Sequence, residues 1–247
     1  RAFASSEEAR DIAAVSTVTA GAGAEHARWG CLNFSFFDLK RKAPRIKQAG
    51  RGGIGTVFRN KHIAAIVVKS PAVRPDSNAP ADLERLQTAG ARINKEIHEL
   101  DPKQCDMRRV GTAHLVEIMD EYDLLPTHNY RFGSHPDAAK IASTVWRQRF
   151  GQNMPDSCWI GCTMSCSHAV DNFPVRTGPY QGERVLVDGP EYETAAGSAN
   201  LGVFDPDFVL EMNFYCDTYG IDTISFTTGL AFVMECYEAR ILDAAKT

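Results

Sequence analysis

Several things are missing from this chain, and each absence excludes a class of protein. No apolar run approaches the roughly 20 residues of a membrane-spanning helix, and no charged, apolar, small-residue signal opens the sequence. The first residue is Arg1, with no initiator methionine, and the opening reads as mid-sequence, so a fragment is expected and the missing signal carries little weight. Positive charge is not in excess: 27 Lys and Arg face 31 Asp and Glu, a formal net charge of -4 at pH 7, which argues against a general nucleic-acid or polyanion binder. The basic run Lys40-Arg41-Lys42 with Arg45, Lys47 and Arg51 is too local for a duplex-binding face, and its default reading is a solvated loop, with a phosphate pocket as the sharper alternative. Seven cysteines are an odd number, and 247 residues can bury a core without stapling, so a disulfide framework is not expected. Internal repeats, low-complexity tracts and a haem attachment pattern are also lacking.

What the chain does have is Cys158-Trp-Ile-Gly-Cys162-Thr-Met-Ser-Cys166, three thiols within nine residues. Thiolates are soft ligands that select zinc or iron-sulfur clusters. One short segment supplies several of them at little loop-closure cost. No His with zinc-finger spacing follows, since His168 comes only two positions after Cys166. Spacings of four would also place the cysteines near one helix face, packed as small apolar residues. A four-iron cluster would still need a fourth ligand. Cys216 and Cys236 are candidates, but both sit in apolar, helix-like settings, and a segment beyond this sequence is the favoured source.

Along the chain, residues 5–20 read as a helix feeding a Val- and Thr-rich strand, and Phe34 to Leu39 as a further apolar run. Gly50-Arg51-Gly52-Gly53-Ile54-Gly55 satisfies the dinucleotide pattern G-x-G-x-x-G literally, but that pattern requires a strand before and a helix after it. A basic, proline-containing stretch precedes it, and residues 56–68 read as strand, so a nicotinamide site is not expected. Glycines there would still let the backbone approach a ligand closely, with Arg51 offering a planar fork for phosphate or a polar heterocycle. A plain turn is the alternative.

Residues 69–79, with three prolines, read as a boundary. Residues 81–100 are helical, with Leu83, Leu86, Ala91, Ile93 and Ile97 as the expected buried stripe. Helices are also expected over 112–122, 135–150, 208–219 and 226–245, with a polar loop at Leu125-Pro-Thr-His128-Asn129-Tyr130. His128, His135 and His168 read as ordinary histidines rather than ligands. Gly189-Pro-Glu191-Tyr-Glu193-Thr194 and Asp217-Thr-Tyr-Gly220-Ile-Asp222 complete the motifs, the latter ending a helix on a C-cap glycine. Its acids could accept hydrogen bonds from a heterocycle's amino groups, or simply face water.

The order of these motifs is more specific than any one of them. The Gly-Arg-Gly-Gly-x-Gly turn, Gly111-Thr112 ahead of Leu125-Pro-Thr-x-Asn129, the cysteine trio, Gly-Pro-Glu-Tyr-Glu-Thr and Asp-x-x-Gly-Ile-Asp together resemble the tungsten-dependent aldehyde ferredoxin oxidoreductase family over essentially the whole chain. That family holds tungsten, rarely molybdenum, between two pyranopterin dithiolenes, with a 4Fe-4S cluster close by. The resemblance implies that Arg51 contacts pterin and that the Gly52 carbonyl lies by an Mg2+ bridging the cofactor phosphates. It implies that Asp217 and Asp222 hold the amino-rich pterin edge and that Cys158, Cys162 and Cys166 bind three irons. Glu191 matches the active-site carboxylate, with Glu193 as reserve. The implied activity is oxidation of a small aldehyde to the carboxylic acid, with electrons passed to ferredoxin or a small iron-sulfur subunit. Two departures stand out. Three residues separate Cys158 from Cys162 where the family commonly has two, and the family's fourth cluster cysteine and first pterin-binding strands would lie beyond the two ends of this sequence.

The benzoyl-coenzyme A reductases share the cofactor architecture, but a tungsten-ligating cysteine is expected there soon after the Gly-Pro-Glu-Tyr motif. This chain has Ser198-Ala-Asn-Leu201-Gly and no thiol until Cys216. A non-catalytic iron-sulfur relay and a zinc-stabilised structural domain are the readings from other classes. The expected architecture is α+β: residues 1–75 as the end of a β-rich pterin-binding domain, and 76–247 as a mostly helical domain carrying the cluster ligands. An oligomer is expected, in the cytoplasm, where seven reduced cysteines and an oxygen-sensitive cluster are at home.

Overall fold

A computed structural model describes residues 14–38, 41–69, 80–152, 154–158 and 162–245. The fold is α+β, in two compact units. One contains the described residues up to Lys95 together with Asp217–Asp222, and the other contains Glu96–Cys216 and the residues from Thr223 onward.

The first unit is built on an antiparallel sheet of β1 (Val15–Ala20), β2 (Leu32–Asp38), β3 (Ala43–Ala49) and β4 (Ile66–Lys69), in the order β3-β2-β1-β4. Residues 5–13, read as a helix, lie outside the described residues. Asp38 ends β2 buried and accepts from two guanidinium groups, Arg41 at 3.0 Å and Arg45 at 2.9 Å. The basic run is therefore no solvated loop at these two positions. Both arginine side chains are less than a tenth exposed, and the shared carboxylate is what makes their burial tolerable.

The reading of 56–68 as one strand is also corrected. Helix α1 (Ile54–Asn60) directly follows the glycine turn, and only Ile66–Lys69 is strand. Three left-handed glycines, Gly50, Gly52 and Gly53, let the chain reverse from β3 into that helix. The strand-turn-helix order of a dinucleotide fold is thus present, yet the sheet is antiparallel, with no βαβ crossover between β3 and β4. A nicotinamide-type fold is excluded by topology rather than by the missing helix.

Helix α2 (Leu83–Leu100) forms where expected, but no residue in it is buried. Leu83 and Leu86 are each 56% exposed and Ile93 48%, so the apolar stripe faces outward rather than into a core.

In the second unit, α3 (Met107–Val110), α4 (Leu115–Glu121) and α5 (Ser143–Arg149) precede a three-stranded antiparallel sheet. Its strands are β5 (Met154–Asp156), β6 (Ser167–Pro174) and β7 (Arg184–Val187), in the order β5-β6-β7. This small sheet stands within a second part that is otherwise built of helices, as expected. Then come α6 (Tyr192–Asn200), α7 (Pro206–Tyr219) and α8 (Thr223–Glu238). The core gathers Val116, Leu125, Ile141, Trp146, Val170, Phe173, Ala195 and Leu210. Trp146 is fully buried because its indole N–H has a partner, donating to the Ile141 carbonyl at 3.2 Å. The Leu125–Tyr130 loop is less polar in place than in sequence, with Leu125 and Thr127 at 0% exposure. His135 stacks on Phe204 at 4.1 Å, as an ordinary packed histidine does. No helix among the described residues is long and apolar enough to cross a membrane.

Candidate functional site: a glycine-arginine turn and a cysteine-glutamate segment

In the first unit the glycine turn is stitched to the segment before β2. A Cβ on Gly53 would collide with the Arg28 carbonyl, and one on Gly55 with that of Cys31. Gly55 N donates to Gly30 O at 2.8 Å, while the Thr56 hydroxyl donates to Ala27 O and accepts from Gly30 N. Among the described residues nothing lies within 4 Å of where a Cβ on Gly52 would be, which leaves one face of this backbone open to a ligand.

The Asp217-x-x-Gly220-x-Asp222 turn reaches the same place from the far end of the sequence. Gly220, at φ +66°, ends α7 in the left-handed conformation expected of a C-cap glycine. Its carbonyl accepts from Cys31 N at 2.7 Å, Asp222 N donates to Trp29 O, and the Gln48 amide donates to Asp217 O. Arg51 Nη1 lies 2.9 Å from Asp222 Oδ1, an ion pair spanning 171 positions of sequence. The Asp222 side chain is 5% exposed and that of Arg51 48%, so a buried acid anchors a half-exposed arginine. Arg51, Gly52, Asp217 and Asp222 are thus brought together. Cys31, which no motif singled out, sits among them. Burial, and after it the charges of Asp222 and Asp217, push its thiol from 9.0 up to about 11, against the opposing pull of Arg51.

In the second unit the cysteine segment is not helical. Cys158 lies in a bend, and 162–165 are irregular up to Cys166, which bridges to Asp156 just before β6. The helix-face packing considered for the trio is therefore not adopted by the described part. Trp159, Ile160 and Gly161 lie outside the described residues. Cys158 is exposed, Cys162 and Cys166 are half-buried, and none of the seven cysteines forms a disulfide. Ser165, at φ +44°, closes the loop by donating its hydroxyl to Cys162 O, and Arg108 Nε donates to Thr163 O. Burial first, then the negative charge of Glu191 and the neighbouring Cys162 and Cys158, raise the Cys166 thiol, opposed by a backbone hydrogen bond. Cys166 and Glu191 are therefore electrostatic neighbours. Among the described residues no group of three or more His, Cys, Asp or Glu is gathered closely enough to hold a metal ion. Cys216 is buried in α7 and Cys236 half-buried in α8.

Glu191 is the extended residue that opens α6, its carbonyl accepting from Thr194 N and Ala195 N, and Glu193 lies in the first turn. Two residues that sequence reasoning did not select hold this region. Gln152 and His168 are both almost completely buried, and their polar atoms meet backbone groups of Arg108, Gln152, His168 and Pro190. No motif could have revealed them, because a buried glutamine is recognised only by what surrounds it.

A family model described as aldehyde ferredoxin oxidoreductase, domains 2 and 3, matches residues 88–247. The tungsten-containing aldehyde ferredoxin oxidoreductase of Pyrococcus furiosus is 33% identical over 197 residues, covering 78% of this chain and 29% of the relative. That of Pyrococcus horikoshii is 33% identical over 200 residues, covering 79% and 30%. The aliphatic sulfonate oxidoreductase, WOR-like subunit, of Pyrococcus furiosus is 25% identical over 200 residues, covering 78% and 29%. The chain thus spans under a third of the length of these relatives, and it belongs to the aldehyde ferredoxin oxidoreductase family.

Proposed function

We propose that this chain is the central part of a tungsten-dependent oxidoreductase that converts aldehydes to carboxylic acids. The observation that carries the reading is the meeting of Arg51, Asp217 and Asp222 in one unit. A guanidinium oriented by a buried acid, an open glycine backbone and a second carboxylate fit the phosphate and amino groups of a pyranopterin. In this reading Arg51 contacts pterin, the Gly52 carbonyl serves the Mg2+ at the phosphates, and Asp217 and Asp222 hold the amino-rich edge.

Cys158, Cys162 and Cys166 would supply three thiolates to a 4Fe-4S cluster. The donor chemistry supports this, since three soft sulfur ligands within nine residues suit iron, and the positive charge of a bound cluster would offset the burial and the Glu191 charge that raise the Cys166 thiol. When bound, the tungsten group would supply a two-electron sink and a Lewis acid, and a cluster held by the three cysteines would supply single-electron transfer toward ferredoxin or an iron-sulfur subunit. The chain's own part is orientation and proton transfer. Glu191, through a carboxylate oxygen, takes the proton of the attacking water, so that aldehyde and water yield acid, two protons and two electrons. Glu193 is the reserve for that role. An oligomer in an anoxic cytoplasm completes the reading.

Metal analysis of anaerobically isolated full-length enzyme tests it, together with turnover of short aldehydes, an aliphatic sulfonate and a cyclic dienoyl thioester. Tungsten with iron and aldehyde turnover supports the proposal. Iron alone points to an electron relay, zinc alone to a structural domain, and turnover of only the thioester to the benzoyl-coenzyme A reductase branch.

A further inference from the structure

The cysteine segment and the glutamate turn are far apart in sequence, and two residues outside both motifs tie them together. Thr112 is the first. Its backbone N–H donates to the Cys166 carbonyl at 3.2 Å, and its hydroxyl oxygen accepts from Tyr192 N at 3.1 Å. Tyr192 is the first residue of α6, so its N–H has no acceptor within the helix, and Glu191 provides no side-chain cap. The threonine hydroxyl fills that position. Gly111 aims it: at φ +76°, a conformation that strains residues with a side chain, it turns the chain out of α3 so that the Thr112 amide faces β6.

Gln152 is the second. Its Nε2 group donates to His168 O at 3.0 Å and to Pro190 O at 3.3 Å. Gln152 is 1% exposed, and among the described residues its Oε1 is buried without a hydrogen-bond partner. An unpaired buried amide oxygen costs about 1–3 kcal/mol, a cost that an apolar residue of similar size would avoid. The two donated bonds are what the glutamine offers in return. His168 is itself pinned, Nδ1 against the Gln152 carbonyl at 3.3 Å and Nε2 against that of Arg108 at 3.1 Å.

The endpoints of the two bridges coincide. Thr112 and Gln152 attach on one side to Cys166 and His168, and on the other to Pro190 and Tyr192, the residues on either side of Glu191. We propose that Thr112 and Gln152 are positioning residues that fix Glu191 relative to the Cys166 segment, so that the proton acceptor and the cluster ligand move as one body. This rests on the roles given to Glu191 and Cys166 above. Neither residue touches the reacting atoms.

The test uses the full-length, metal-loaded enzyme with Thr112→Val, Thr112→Ser, Gln152→Leu and Glu191→Gln. Thr112→Val keeps the amide bond to Cys166 and removes only the hydroxyl acceptor. A misplacement approaching 1 Å costs up to roughly a hundredfold in rate. For Thr112→Val and Gln152→Leu, kcat should therefore fall by about tenfold at unchanged KM and iron content, with Thr112→Ser within about twofold of wild type. Hydrogen exchange over 191–194 reads the brace without turnover and should be at least about tenfold faster in Thr112→Val. The proposal is overturned if both variants retain wild-type kcat and exchange while Glu191→Gln is inactive, or if they lose activity only in proportion to iron. Wild-type turnover by Glu191→Gln would instead remove the carboxylate's role, and absence of tungsten or aldehyde turnover in the wild type would sink the functional reading. In either case the exchange rates still decide whether the brace exists.

Discussion

Raising the pH should weaken the first unit through one thiol. Cys31 is 6% exposed, and its pKa is pushed from 9.0 up to about 11, chiefly by burial and then by Asp222 and Asp217. In the unfolded chain the thiol ionises near its ordinary value, while in the folded chain it keeps its proton about two pH units longer. Its contribution to stability is therefore intact below pH 9 and is lost progressively as the pH rises toward about 11. At 1.36 kcal/mol per unit, the loss is on the order of 3 kcal/mol. Cys31→Ala removes the titrating group, so the stability difference between the two proteins should change with pH in that window even though lysines and tyrosines titrate in both. Asp222→Asn removes one of the raising charges and frees Arg51 to act on the thiol more strongly, so it should flatten the dependence in part. Burial, the largest cause, would remain. Urea unfolding between pH 8 and 11, followed by hydrogen exchange in β2, measures this. Parallel wild-type and Cys31→Ala curves would refute it.

Three further outcomes are expected. Glu211 is buried and accepts from Arg176 N, Thr177 N and the Thr177 hydroxyl, so Glu211→Ala should cost about 3 kcal/mol in urea unfolding, and Glu211→Gln less. Gly53→Ala combines a left-handed φ of +80° with a collision against the Arg28 carbonyl; it should misfold the turn, and reduced soluble yield or a lowered melting temperature would record that. Cys166→Ser, replacing a thiolate by a poor iron ligand, should lower the iron content and visible absorbance of anaerobically purified enzyme, and unchanged iron would remove Cys166 from the ligand set.

What the sequence made legible was local. Gly220 could be read as a C-cap because a helix ends only in a few ways, and β1 because it is rich in Val and Thr. The strand read over 56–68 was wrong at its start because apolar β-branched residues suit a buried strand and a short helix equally; the left-handed glycines before Ile54, not the residues after it, decide the outcome. The sheet around β6 escaped notice because Ser167–Pro174 mixes His, Asp and Asn into its run, and only burial of His168 against two carbonyls makes that composition tolerable.

Partnership was harder to read than conformation. Arg51 looked like a ligand-facing fork in a solvated stretch, and nothing near it in sequence announced Asp222, 171 positions away. The same holds for Arg41 and Arg45, which both pair with the buried carboxylate of Asp38. Helix α2 shows the converse. Its apolar spacing correctly identified a helix, because periodicity is a property of the segment alone, but it did not identify a core, because burial depends on what packs against the stripe. Motif residues are therefore found before their supports. Arg51, Cys166 and Glu191 each belong to a pattern that suggests a chemical role; Gly111-Thr112 belongs to one that suggests none, Gln152 to no pattern at all, and both Thr112 and Gln152 acquire their roles from the backbone groups they join. A substitution scan guided by motifs would examine Glu191 and pass over Gln152, which holds Pro190 beside it, and would find Thr112 without learning that its hydroxyl holds Tyr192.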